Sequence, residues 1–246
     1  MASRATILEE LGIAPVWRER CAPFGGLAPQ ATPESADEGT ANAPAQNDAP
    51  ADARRARIAS LAFEALAPDI AACRACGLCT TRRRTVPGVG AVAAQWMLVG
   101  EAPGAEEDAQ GEPFVGAAGQ LLDNMLAALR LSRERDVFIA NVLKCRPPNN
   151  RAPAPLEVDA CRPYLDRQVA LVAPRLIVAL GRSAACTLLD IDAPVASLRN
   201  RVHRYGDTPL VVTYHPAYLL RNPADKAKAW EDLLFARRTL RELTTR

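Results

Sequence analysis

Four short runs of consecutive apolar residues punctuate the chain after its first third: "WMLVG" (96–100), "VFIAN" (137–141), "RLIVALG" (175–181) and "LVVTY" (210–214). Alternate residues of a strand face opposite sides of a sheet, so a run that is apolar at every position predicts a strand buried on both faces. Stretches with apolar residues at helical spacing separate the runs, at about 117–130, 156–172 and 182–189. A further helix is predicted over about 54–71 and a last one over about 224–242. Strands alternating with helices predict an α/β fold of three layers, αβα, around a central, mostly parallel four-stranded sheet. In such sheets ligands bind beyond the carboxyl ends of the strands. Each predicted strand ends in distinctive chemistry: "GEAPG" after the first, Asn141, Gly181, and His215-Pro216 after the last. These ends are expected to converge on one pocket.

The beginning of the chain follows a different pattern. Residues 3–11 predict a short amphipathic helix, with Ser3 as N-cap and Ile7, Leu8 and Leu11 on one side; Trp17 follows. Beyond it, Ala, Pro, Gly, Thr, Asn, Gln and acids dominate, a composition that cannot offset chain entropy by burial. The expected organisation is an N-terminal peptide (1–20), a disordered Ala/Pro-rich linker (21–53) and a folded domain (54–246). The tethered apolar peptide reads either as a docking motif for a protein partner or as a helix resting on its own domain.

The 246 residues carry a net charge of only +2, but residues 1–53 sum to −5 and the remainder to +7. A basic body beside an acidic leader favours a polyanionic partner. Glu9 and Glu10 interrupt the apolar stretch that a signal peptide needs, and no run approaches the ~18 apolar residues of a membrane span. With seven cysteines and no export signal, the expectation is a cytoplasmic protein whose thiols ligate metal rather than pair. Cys73 and Cys76 form a C-x-x-C pair and Cys145 and Cys161 a wider one; four such thiolates hold either an iron–sulfur cluster or a structural zinc ion. Cys79 adds a third sulfur to "CRACGLC", while Cys21 and Cys186 read as isolated buried cysteines.

The first strand leads into "GEAPGAEEDAQGEPFVGAAGQLL" (100–122), whose Glu101, Glu106, Glu107, Asp108 and Glu112 suit no phosphate cradle. Taken with "CRACGLC", "NVLKCRPPNNRAP", "CRPYL", "IVALG" and "YHPAYLLR", this text resembles the family 4 uracil-DNA glycosylases, the iron–sulfur branch of that superfamily, over roughly residues 70–235. The resemblance implies a uracil-DNA glycosylase fold, a [4Fe–4S] cluster on Cys73, Cys76, Cys145 and Cys161 with Cys79 surplus, and hydrolysis of the N-glycosidic bond of deoxyuridine in single- or double-stranded DNA. It further implies that Glu101 orients water or opposes the oxocarbenium charge of the sugar. Asn141 reads the base edge, and His215 bonds uracil O2 as the base leaves. Phe114 stacks on the flipped base, Ala102 contacts it, and Glu107 lies near C5, where thymine carries its methyl. Tyr218, Leu219 or Leu220 would wedge into the vacated space, with Arg221 on a phosphate and Arg82, Arg83 and Arg84 as further phosphate candidates.

The chain departs from the family pattern where Asn200 stands in place of an expected glycine. No histidine occurs in "NVLKCRPPNNRAPAPLE", which argues for turnover rather than self-crosslinking. A bifunctional enzyme needs an amine nucleophile, and of the three lysines, Lys144, Lys226 and Lys228, only Lys144 is near a predicted strand end. A monofunctional enzyme, acting as a monomer, is expected.

Overall fold

The computed structural model describes residues 51–244. The predicted N-terminal peptide, and the predicted linker as far as residue 50, lie outside the described residues. Helix begins at Ala51 rather than at residue 54, and the helix predicted over 54–71 is two: α1 (Ala51–Ala59) and α2 (Phe63–Ala72). The break starts at Ser60, whose hydroxyl and backbone N–H both donate to the Arg57 carbonyl, a local bond that competes with helix propagation.

All four predicted strands form, within a sheet of six: β1 (Val89–Gly90), β2 (Trp96–Gly100), β3 (Val137–Asn141), β4 (Leu176–Leu180), β5 (His203–Tyr205) and β6 (Thr208–Thr213). Their order is β1-β3-β2-β4-β6-β5. The four long strands are mutually parallel, while β1 and β5 pair antiparallel at the two edges. The edge strands were not predicted, because two or three residues are too few to show a period.

Every residue of β2, β3 and β4 is buried, and alternation sorts them into two cores. Met97, Val99, Phe138, Ala140, Ile177 and Ala179 pack with Leu165 and Val172 of α5 (Pro155–Val172) and Ala184 and Leu188 of α6 (Arg182–Leu189). On the opposite face Trp96, Leu98, Ile139 and Val178 pack with Leu122 and Leu126 of α4 (Ala117–Ala128) and Leu233, Ala236 and Leu240 of α9 (Lys226–Thr244). The sheet is thus covered on both faces, as the uninterrupted apolar runs require.

Three short helices were not predicted: α3 (Ala105–Gln110), α7 (Val195–Leu198) and α8 (Pro216–Arg221). Asn200 has a φ of 56°, the left-handed conformation that asparagine tolerates and that glycine would otherwise supply. Among the described residues no helix is long and apolar enough to cross a membrane. The strands after β2 go to opposite sides of it, β3 to one and β4 to the other, so a crevice opens beyond its carboxyl end.

Candidate active site

That crevice is a cavity of about 440 Å³, lined by Glu101, Ala102, Glu107, Phe114, Asn141, His215, Tyr218 and Arg221 among the residues singled out from sequence. Pro147, Asn150 and Arg151, which sequence reasoning did not single out, complete one wall. Glu101 directly follows β2, Asn141 ends β3, and His215 precedes α8, so three strands each deliver one polar group.

Asn141 is 2% exposed, and its Oδ1 is buried with no hydrogen-bond partner. An unpaired buried acceptor costs about 1–3 kcal/mol, a penalty that a hydrogen-bond donor brought to it would relieve. The Phe114 ring lies across the cavity floor near the His215 ring, with centroids 5.5 Å apart and planes 31° from parallel. Glu101 is half-buried; burial raises its carboxyl pKa, and a hydrogen bond with Ser183, at the start of α6, partly opposes this. Ser183 is a further residue that the sequence did not reveal. Glu107 is spent on the loop itself: its carboxylate accepts from the backbone N–H of Gly104 (3.0 Å), Val115 (3.1 Å) and Gly116 (3.4 Å). It caps α3 and fixes the chain just after Phe114.

His215 Nδ1 accepts from the Ala217 backbone N–H at 3.1 Å. A backbone amide can only donate, so Nδ1 is bare and the proton of the neutral ring sits on Nε2. Burial, reinforced by the charge of Arg221, lowers the His215 pKa from 6.5 to about 4, while Glu107 opposes the shift. The ring is therefore neutral at neutral pH and a hydrogen-bond donor through Nε2. The unfolded chain takes up a proton below its pKa of 6.5 that folded His215 refuses until about 4, so stability falls as pH drops through that window. The full loss is about 3 kcal/mol. Urea unfolding at neutral pH and at about pH 4.5 checks this, with His215→Gln expected to lose less than the parent.

The residues expected to wedge or hold DNA are placed unequally. Leu219 is 1% exposed and belongs to the interior, so it does not reach the vacated space; Leu220, at 42%, projects outward. Tyr218 stacks on Tyr214 at 5.2 Å and its hydroxyl donates to Asp225 (2.7 Å), which holds its ring flat at the cavity edge. Arg82 turns inward: it donates to Cys145 Sγ (3.1 Å) and to the carbonyls of Ala71 (2.6 Å) and Cys73 (3.0 Å), which makes it a cysteine-pocket residue and not a phosphate ligand. Arg83 and Arg84 are exposed, and Asp108 accepts from their backbone N–H groups at 2.9 and 3.4 Å.

Cys73, Cys76, Cys79, Cys145 and Cys161 line one separate pocket with Arg82, Lys144 and Tyr164. Hydrogen-bond donors point at three of the sulfurs: Arg54 at Cys73 (3.4 Å), Arg82 at Cys145, and the Lys144 backbone N–H at Cys161 (3.3 Å). Burial pushes the Cys161 thiol up to about 12, so a bound metal rather than bulk base would displace its proton. Among the described residues no three His, Cys, Asp or Glu converge closely enough to hold a metal ion. Cys186 lies apart, half-buried, with its sulfur on the Ala193 carbonyl.

The family model of the uracil DNA glycosylase superfamily matches residues 87–234. The chain is 49% identical over 163 residues to a type-4 uracil-DNA glycosylase of Archaeoglobus fulgidus, covering 63% of this chain and 81% of the relative. It is 45% identical over 175 residues to the type-4 protein of Pyrobaculum aerophilum (65% and 86%) and 44% identical over 170 to that of Sulfurisphaera tokodaii (65% and 77%).

Proposed function

Because the chain belongs to the uracil-DNA glycosylase superfamily, and within it to the type-4 branch, we propose that it excises uracil from single- or double-stranded DNA, as a monofunctional enzyme that leaves an abasic site. The observation that carries this reading is that Glu101, Phe114, Asn141 and a neutral His215, protonated on Nε2, line one cavity. Uracil offers what the last two lack: an N3–H for Asn141 Oδ1 and a carbonyl O2 for His215. The Asn141 amide N–H is left for O4.

With the base extruded and stacked on Phe114, the C1′–N1 bond breaks and its electron pair leaves with N1. Negative charge then spreads onto O2, where His215 Nε2–H stabilises it. Positive charge develops on the sugar, and water adds to C1′ with loss of a proton. Glu101, half-buried at the end of β2, acts on that side, on the water or on the charge. Arg221, exposed at the cavity edge, suits a phosphate, and Leu220 the space that the base leaves.

No lysine lines the cavity among the described residues. Lys144 is 1% exposed and its ammonium donates to the Asn141 carbonyl at 2.6 Å, so this lysine is not free to form a Schiff base there.

Cys73, Cys76, Cys145 and Cys161 are the residues that would hold a [4Fe–4S] cluster: all four line the same pocket, and donors from Arg54, Arg82 and the Lys144 backbone point at three of their sulfurs. When bound, such a cluster would tie α2 to the loop after β3 and to α5. It has no step in the hydrolysis. The test combines a visible spectrum of freshly purified protein with labelled single-stranded and U·G oligonucleotides. Brown protein that yields strand breaks only after alkali is the expected outcome; breaks without alkali would contradict monofunctional action, and no breaks at all would contradict excision.

A further inference from the structure

Phe114 is 6% exposed and has a φ of 55°, a conformation that a bulky residue adopts only when its surroundings impose it. After the residue, the Val115 and Gly116 N–H groups are held by Glu107. Before it the constraint comes from outside the cavity. Arg133, in the turn between α4 and β3, donates through Nη1 to the Pro113 carbonyl (2.7 Å) and through Nη2 to the Phe114 carbonyl (2.8 Å). Its Nε is held in turn by Asp123 of α4, at 3.0 Å. One planar guanidinium thus spans two successive carbonyls at the strained residue, a fork that a lysine cannot reproduce.

The same carbonyl is sterically committed. A Cβ on Gly119 would come within 1.8 Å of Phe114 O, so α4 approaches the strained residue through bare backbone. Arg133 is not among the residues that line the cavity.

We propose that Arg133 is a positioning residue for base recognition: its fork on the Pro113 and Phe114 carbonyls imposes the left-handed backbone that lays the Phe114 ring on the cavity floor. This rests on the reading of that cavity as the uracil site. The arginine touches neither base nor sugar and acts only through Phe114.

The test is a double-mutant cycle on the full-length, cluster-loaded protein, read as the single-turnover excision rate at saturating uracil oligonucleotide. Arg133→Ala should lose roughly 10- to 100-fold, as misplacement of a positioning contact does, with DNA affinity unchanged. In a Phe114→Ala background the same change should matter by no more than about twofold, because the ring it positions is gone. Arg133→Lys, which keeps the charge but not the fork, should fall between the parent and Arg133→Ala, and it carries the cycle if the alanine protein does not fold. Equal losses in both backgrounds, or full rescue by lysine, would overturn the inference while leaving the glycosylase reading intact. An inert parent protein would overturn both.

Discussion

Asn141→Ala should lower kcat/KM for uracil excision roughly 10³-fold, because it deletes an acceptor and a donor that both act on the base edge. Its effect on stability should have the opposite character. The Oδ1 it removes is buried and unpaired in the free protein, so no internal hydrogen bond is lost and a desolvation penalty disappears. Unfolding midpoints of parent and variant, measured beside uracil release, separate the two. A variant that loses activity in proportion to stability would show Asn141 to be a scaffold residue.

Gly100→Ala should be nearly as damaging although the added group is one methyl. A Cβ at Gly100 would stand 2.4 Å from Asn141 Oδ1 and 2.8 Å from Phe114 Cζ. Asn141 is the register partner of Gly100 across β2 and β3, and the Phe114 ring lies beside His215, so the clash can be relieved only by moving the Asn141 amide and the Phe114 ring. The displacement therefore falls on the two groups that hold the base, and a loss between roughly 10²- and 10³-fold is expected from misplacement of that order. Far-ultraviolet circular dichroism should stay unchanged, since the sheet itself accepts alanine at the end of β2. Wild-type rates in Gly100→Ala would mean that the base sits elsewhere in the cavity.

The parts of the fold legible in the sequence were those whose burial is complete. β2, β3 and β4 are buried at every residue, and apolar at all but the terminal Asn141, because helices cover both faces. β1 and β5 were illegible because they are short and partly exposed. α3 escaped because its signal is a capping carboxylate, Glu107, inside a stretch whose acidity reads as loop. Within the site, side chains recognised through motif text line the cavity, whereas Arg133 and Ser183 act on carbonyls and on a neighbour's carboxylate. Such roles depend on where backbone groups point, which no pattern of residue types displays. Leu219 and Leu220 show the same limit: adjacent leucines in one motif, one interior and one at the surface, divided by the turn of a six-residue helix.

The polar groups of the cavity come from the ends of β2, β3 and β6, whose partners in the sheet lie far apart along the chain. During synthesis, the stretch that bears Glu101 and Asn141 leaves the ribosome long before His215 does. Until β6 docks beside β4, the cavity lacks the donor for the leaving base. A half-made or truncated chain is thus an inert one, and activity in a cell extract counts only molecules that have finished folding.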